Sequence, residues 1–261
     1  MTWKDFRCYI YMCGIVGVIR LNQETVDQGE LIKMMSVIQH RGPDDCGLLV
    51  KDNVGLGHLR LSILDTSEHG HQPMFSFDRR YVLVFNGEIY NYIEIKETWL
   101  KDYPFISGSD SEVILAMYLK YGKACVEYFN GMWAFAILDT DTNEVFISRD
   151  HFGIKPLYYY QTQKSFYFAS EVKALKQVCE TISVNEEKVF EYLMFNRTDQ
   201  TCETFIREIN RVEKGHNILI RQGQVTFQQW YKLPDRLNTP WSSATEYRDT
   251  LSSAVKMQLR S

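Results

Sequence analysis

Tyr81-Val82-Leu83-Val84-Phe85-Asn86-Gly87-Glu88-Ile89-Tyr90-Asn91 is the stretch around which the chain is organised. Its first five residues are β-branched, aliphatic or aromatic without a break, which is the pattern of a buried strand. Asn86-Gly87 then has two readings. Asn-Gly is the strongest short signal for a hairpin turn. A strand that ends in Asn-Gly also sets a side-chain amide beside a free backbone N–H, and two converging neutral donors are what a developing oxyanion needs. Taken alone, the turn is the better reading. The rest of the chain reverses it, because it supplies a nucleophile, a clamp for a carboxylate and a clamp for an ammonium group.

Working outward, residues 13 to 20 read as a buried strand. Asp27 caps an expected helix over 28–39, with Leu31, Met34, Met35 and Ile38 on one face. His40-Arg41-Gly42-Pro43-Asp44 is irregular, strands follow near 46–51 and 54–63, and a polar loop covers 65–73. Beyond the central stretch, a helix is expected at 91–101. Ser109-Asp110-Ser111-Glu112 has the form of a capping box, with Ser109 at the N-cap and Glu112 reaching back. The helix it opens runs to Tyr121 and buries Val113, Leu115, Ala116 and Leu119. Hairpins are expected at 132–139/144–149, 157–162/165–169 and 217–221/224–230, with helices at 171–177 and 186–195. Hairpins this frequent favour a layered α+β domain with largely antiparallel sheets over a doubly wound parallel one. Residues 232–243 read as a linker and 244–260 as an amphipathic helix.

Composition excludes several classes. The 261 residues are 45% hydrophobic and 24% charged, ordinary for a globular protein, and the net charge of −4 gives no electrostatic case for nucleic acid. No apolar run approaches the ~20 residues of a membrane helix. Asp5 and Arg7 break up the N-terminal apolar stretch, so it does not read as a signal peptide. The cysteines Cys8, Cys13, Cys46, Cys125, Cys179 and Cys202 are scattered, with no zinc spacing among them. They fit a reducing cytoplasm, and no metal is expected.

Five ordered motifs then carry a resemblance: Cys13-Gly14-Ile15-Val16-Gly17, His40-Arg41-Gly42-Pro43-Asp44, Arg60-Leu61-Ser62-Ile63, Asn86 to Asn91, and Gly108-Ser109-Asp110-Ser111-Glu112. Together they resemble the glutaminase domain of class II glutamine amidotransferases, the N-terminal-nucleophile type. Arg149 to Tyr158 and Ala169-Ser170-Glu171 are similar to glutamine-hydrolysing asparagine synthetases within that class. The resemblance implies a four-layer α-β-β-α sandwich over residues 13–231. It implies Cys13 as nucleophile with its own α-amine as base, and Asn86 and Gly87 as the oxyanion hole. Arg60 would hold the substrate α-carboxylate, Glu88 and Asp110 its α-ammonium, and Leu61, Ser62, Ile63 and Leu64 would wall the pocket. Arg41 and Asp44 read as scaffold.

Two departures bear on this. In the chain as written Cys13 carries a peptide N–H where an amine is required, so residues 1–12 are expected to be a mis-assigned start or a removed extension, with Met12 directly before Cys13. The synthetase half of such enzymes has a glycine-rich loop for ATP, and none is present here. Residues 244–261 read as the first helix of a truncated synthetase domain. ATP and Mg are expected only for that missing part, which would receive the ammonia; a homodimer is left open. Alternatives are a non-catalytic assembly module of the same fold, or the glutaminase domain of another class II amidotransferase.

Overall fold

The computed structural model describes residues 12–62, 67–233 and 240–260. One sheet holds β1 (Gly14–Arg20), β2 (Asp45–Lys51), β3 (Val54–Arg60), β8 (Tyr158–Gln161), β9 (Ser165–Ala169) and β10 (Ile209–Arg211) in the order β10-β8-β9-β1-β3-β2. The other holds β4 (Met74–Phe75), β5 (Tyr81–Ile89), β6 (Gly131–Asp139), β7 (Glu144–Arg149), β11 (His216–Arg221) and β12 (Gln224–Gln229) in the order β12-β11-β7-β6-β5-β4. The pairings are antiparallel throughout.

Period-2 alternation builds the layers. On β1, Ile15 and Ile19 pack inward against Val82, Val84, Ala134 and Ala136 of the opposite sheet. Val16 and Val18 face outward onto Leu31, Met34 and Met35 of α1 (Gln28–Ser36) and onto Ala174 and Leu175 of α4 (Val172–Leu175). On β5, Leu83, Phe85 and Ile89 face Val113, Ile114 and Met117 of α3 (Asp110–Tyr121) and Ile95 of α2 (Tyr92–Trp99). Three apolar layers between helices, sheet, sheet and helices make the expected four-layer α-β-β-α sandwich. This parity sends the Asn86 side chain into the layer between the sheets, with Val82 and Val84.

Several local expectations are corrected. Asn86-Gly87 neither turns nor ends the strand: β5 pairs with β6 through Ile89↔Gly131, and neither residue has the positive φ that an Asn-Gly turn needs. Long-range pairing overrides the local signal. The capping box is half right. Ser109 Oγ accepts Ser111 N–H at 3.1 Å, but the Glu112 carboxylate takes the N–H groups of Ile106 and Ser107 (3.0 and 2.7 Å), leaving Ser109 N–H to Ser107 Oγ. Leu119 is 37% exposed, because the buried arc of α3 ends at Tyr118. The helix expected over 28–39 stops at Ser36, and Gln39–Arg41 forms a short 3-10 turn that runs into the segment read as irregular. At Gln222-Gly223 the turn is as expected, with φ of 50° and 77°. Of the 232–243 linker, 234–239 lie outside the described residues. Helix α6 (Ala244–Gln258) buries none of its residues; just beyond it, Arg260 forks onto Glu94 at 2.6 and 2.7 Å.

Candidate active site

Met12 and Cys13, just before β1, are held by the turn that precedes Gly42. Arg41 Nε donates to the Cys13 carbonyl at 3.0 Å, and Met12 N–H donates to the Arg41 carbonyl at 3.1 Å. The same guanidinium pairs with Glu171 at 3.1 Å, and Glu171 also meets Lys173 at 3.0 Å and His40 at 2.9 Å. Ser170 exchanges hydrogen bonds with the Ile15 backbone in both directions, each 2.9 Å. Arg41 and the Ala169-Ser170-Glu171 run thus form a cradle for the backbone of Cys13. Cys13 is half-buried, and its Sγ lies 3.4 Å from Leu61 N and 3.5 Å from Leu61 O. Burial pushes the thiol's pKa up, while the Leu61 backbone contact and the Lys155 charge pull it back.

The thiol opens on a small cavity of about 60 Å³, lined by Arg60, Leu61, Gln72, Gly87, Glu88 and Asp110 among others. The facing edge of β5 is a row of odd-numbered backbone groups, since alternate N–H groups of an antiparallel strand point the same way. Phe85 N–H donates to Gln72 Oε1 at 2.6 Å and Ile89 N–H to Asp110 Oδ2 at 2.8 Å. Between them, alternation turns the Gly87 N–H toward the cavity. Only glycine fits there: a Cβ would come within 2.3 Å of Met132 O and 2.8 Å of Trp133 Cα on β6. Asn86, 1% exposed, is absent from the cavity lining, and its Nδ2 is buried without a hydrogen-bond partner. An unpaired buried amide donor normally destabilises by ~1–3 kcal/mol, so its retention calls for a use.

Asp110 is 4% exposed at the first turn of α3, and burial pushes its carboxyl up to about 6, with Glu88 adding to the rise. Arg60, at the end of β3, is 8% exposed and donates to Ser67 O at 2.9 Å. Ser62 N–H is bound by Asp44 Oδ2 at 2.8 Å, so Asp44 shapes the segment after β3. Ile63 and Leu64 lie outside the described residues. The cavity therefore gathers Cys13, Arg60, Leu61, Gly87, Glu88 and Asp110, with Asn86 just behind and Ser62 beside it.

The sequence reading missed three residues. Gln72 fixes the Phe85 N–H and donates from Nε2 to Ser111 Oγ at 3.2 Å. His58 on β3 reaches the Phe85 carbonyl from the other sheet at 3.0 Å. Lys155 is 6% exposed and sits near Cys13 and Glu88. The available signal was a lone polar residue in an apolar setting, as in Leu56-Gly57-His58-Leu59. Among the described residues no cluster of His, Cys, Asp and Glu could hold a metal, and no helix is long and apolar enough to cross a membrane. A larger cavity of about 490 Å³ lies by α4 and α5 (Glu186–Phe195). Its Lys188 and Arg211 are already paired with acids, and neither cysteine nor serine is among its lining residues.

Fold and site together define a class, and comparison gives it a family: the chain belongs to the glutamine amidotransferase domain family, which matches residues 12–231. Within it, the chain is 37% identical to a protein of Methanocaldococcus jannaschii described as a putative glutamine-hydrolysing asparagine synthetase, over 96% of this chain and 53% of that one. It is 39% identical to glutamine-hydrolysing asparagine synthetase 1 of Bacillus subtilis, over 96% of this chain and 40% of that one. The chain thus spans about half, or less, of these relatives. Among solved structures, the B. subtilis glutamine phosphoribosylpyrophosphate amidotransferase superposes with a TM-score of 0.65 at 18% identity, covering 84% of this chain and 49% of that one. That likeness is one of fold, the N-terminal-nucleophile sandwich.

Proposed function

We propose that this chain hydrolyses L-glutamine to glutamate and ammonia through a thioester on Cys13, as the glutaminase half of an asparagine synthetase. The observation that carries the reading is Gly87 in the lining of the cavity that Cys13 opens on, with the orphaned Asn86 Nδ2 just behind it. Substrate enters with its α-carboxylate on Arg60, planar fork to planar acceptor, and its α-ammonium between Glu88 and Asp110. The side-chain amide then lies over Sγ. A neutral α-amine on Cys13 takes the thiol proton, the thiolate attacks the amide carbon, and charge develops on the oxygen before Asn86 and Gly87. Collapse of the intermediate breaks the C–N bond, the proton passes to the leaving nitrogen, and ammonia departs. Water then cleaves the thioester to glutamate.

An amide nitrogen has no basic lone pair, so the base exists only when the chain begins at Cys13. Its ordinary pKa of ~7.7–8.0 suits proton transfer near neutral pH. The 37–39% identity to asparagine synthetases supports an acceptor domain that uses the ammonia to make asparagine, with ATP and Mg bound there. Ammonia release from glutamine, compared for protein beginning at Cys13 and protein retaining residues 1–12, tests the reading. Release is expected only from the first. Equal rates from both forms, each verified intact by mass, would refute it.

A further inference from the structure

Lys155 is held in place more firmly than a packing residue needs. The carboxylate of Asp150, itself fully buried, accepts the N–H groups of Trp133, Phe152, Ile154 and Lys155 at 3.0 to 3.1 Å. Arg149 donates to the carbonyls of Gly153 and Lys155 at 2.7 and 2.9 Å, and also to that of Val212. The backbone of 149–155 is thereby fixed from both sides. From it the Lys155 side chain runs inward, and Nζ stops 3.4 Å from Sδ of Met12, the residue whose carbonyl carbon is bonded to the Cys13 nitrogen. A thioether is a weak acceptor. Among the described residues no carboxylate lies within ion-pair distance of this Nζ.

A buried ammonium without a paired carboxylate is unfavourable for stability alone. The charged and titratable groups around it are Cys13 ahead of β1, Glu88 on β5, Arg41 on the 3-10 turn and Asp150 on its own loop; Asp110 and Arg60 face the thiol from further round. Burial pulls the Lys155 pKa down from its ordinary value while Glu88 and Cys13 push it back up, and Lys155 is the foremost cation acting on Cys13.

We propose that Lys155 is a tuning residue of this site: in a chain that begins at Cys13, its buried ammonium faces the new α-amine and keeps that amine neutral, ready to take the thiol proton. The inference rests on the glutaminase reading for its purpose but not for its measurement. A like charge within ~4–6 Å disfavours a second positive charge, by about one pH unit or more in a partly dry site. Loss of Met12 removes the thioether that Nζ meets and leaves the Cys13 nitrogen as a free amine on the residue whose thiol Lys155 already acts on. Glu88 then has a second task, offsetting Lys155 as well as receiving substrate ammonium.

The test is a 13C NMR titration of Cys13, labelled at Cα and Cβ, in the otherwise full chain beginning at that residue. Wild type, Lys155→Met and Lys155→Arg are compared. Lys155→Met keeps the stem and removes only a buried charge, so the fold is retained; Lys155→Arg keeps the charge. The α-amine is expected to titrate about one unit higher in the Met variant and close to wild type in the Arg variant, a rescue that a space-filling role would not produce. The acid limb of kcat/KM for ammonia release should move up with it. An α-amine that titrates alike in wild type and Lys155→Met overturns the proposal, whether or not ammonia is released. A shifted titration without ammonia release upholds the tuning and refutes the glutaminase reading.

Discussion

His58 Nε2 lies 3.0 Å from the carbonyl oxygen of Phe85, so a side chain of one sheet fixes a peptide group of the other, one residue before Asn86. A carbonyl can only accept, so Nε2 carries the proton, and the buried Nδ1 has no partner. The ring is neutral in the fold.

Acid stability follows from that ring. Burial pulls the His58 pKa down to about 4, against ~6.5 in an unfolded chain. The unfolded state therefore binds the proton first. Stability from this group is complete above pH ~6.5, falls as pH drops toward ~4, and the loss totals roughly 3 kcal/mol. His58→Gln, which keeps a donor and cannot titrate, should flatten the dependence of Tm on pH in that window relative to wild type. Parallel curves for the two proteins would show that folding leaves the His58 pKa where it is in the unfolded chain.

Asn86 separates turnover from stability. Its Nδ2 has no partner in the resting fold, and in the proposed mechanism it gains one when the oxyanion forms. Asn86→Ala should lower kcat by about 10²–10³ with little change in KM. Because an unsatisfied donor disappears with the side chain, Tm should fall less than for an ordinary buried truncation. A variant that raises only KM would place Asn86 in substrate binding instead.

Arg60 and Asp110 should act on the other end of the substrate. Removing one partner of a buried charge pair costs about 2–5 kcal/mol, so Arg60→Ala and Asp110→Asn should each raise KM for glutamine by ~30-fold or more while kcat changes far less. Asp110 adds a pH signature. Burial pushes its carboxyl up to about 6, above the usual carboxylate value, and in the proposed binding mode only the ionised form receives the ammonium. KM should climb about tenfold per unit as pH falls below 6, and that slope should vanish in Asp110→Asn. Equal slopes in both proteins would remove Asp110 from the ammonium site.

What the sequence made legible, and what it did not, divides along local and long-range lines. β1, β5 and α3 are read from runs of apolar residues and from the Ser109 cap, because their burial repeats at the period of the element. Asn86 and Gly87 are recognisable by chemical type, but their place inside β5 is not: the local Asn-Gly signal says turn, and only pairing with Gly131–Asp139 overrules it. The short strands Met74–Phe75 and Ile209–Arg211 have too few residues to show a period. His58, Gln72 and Lys155 act on Phe85 or Met12 across separations of 13 to 143 residues, and each is a single polar residue with no pattern of its own.

The central claim is that Cys13 is acylated by glutamine. Rapid acid quenching of the Cys13-initiated protein during turnover, followed by peptide mass spectrometry, tests it most directly. The account predicts a glutamyl adduct on the Cys13 peptide, absent without glutamine and more abundant when thioester hydrolysis is slowed. Sustained ammonia release with no adduct on Cys13, or with the adduct on another cysteine such as Cys46, would contradict it.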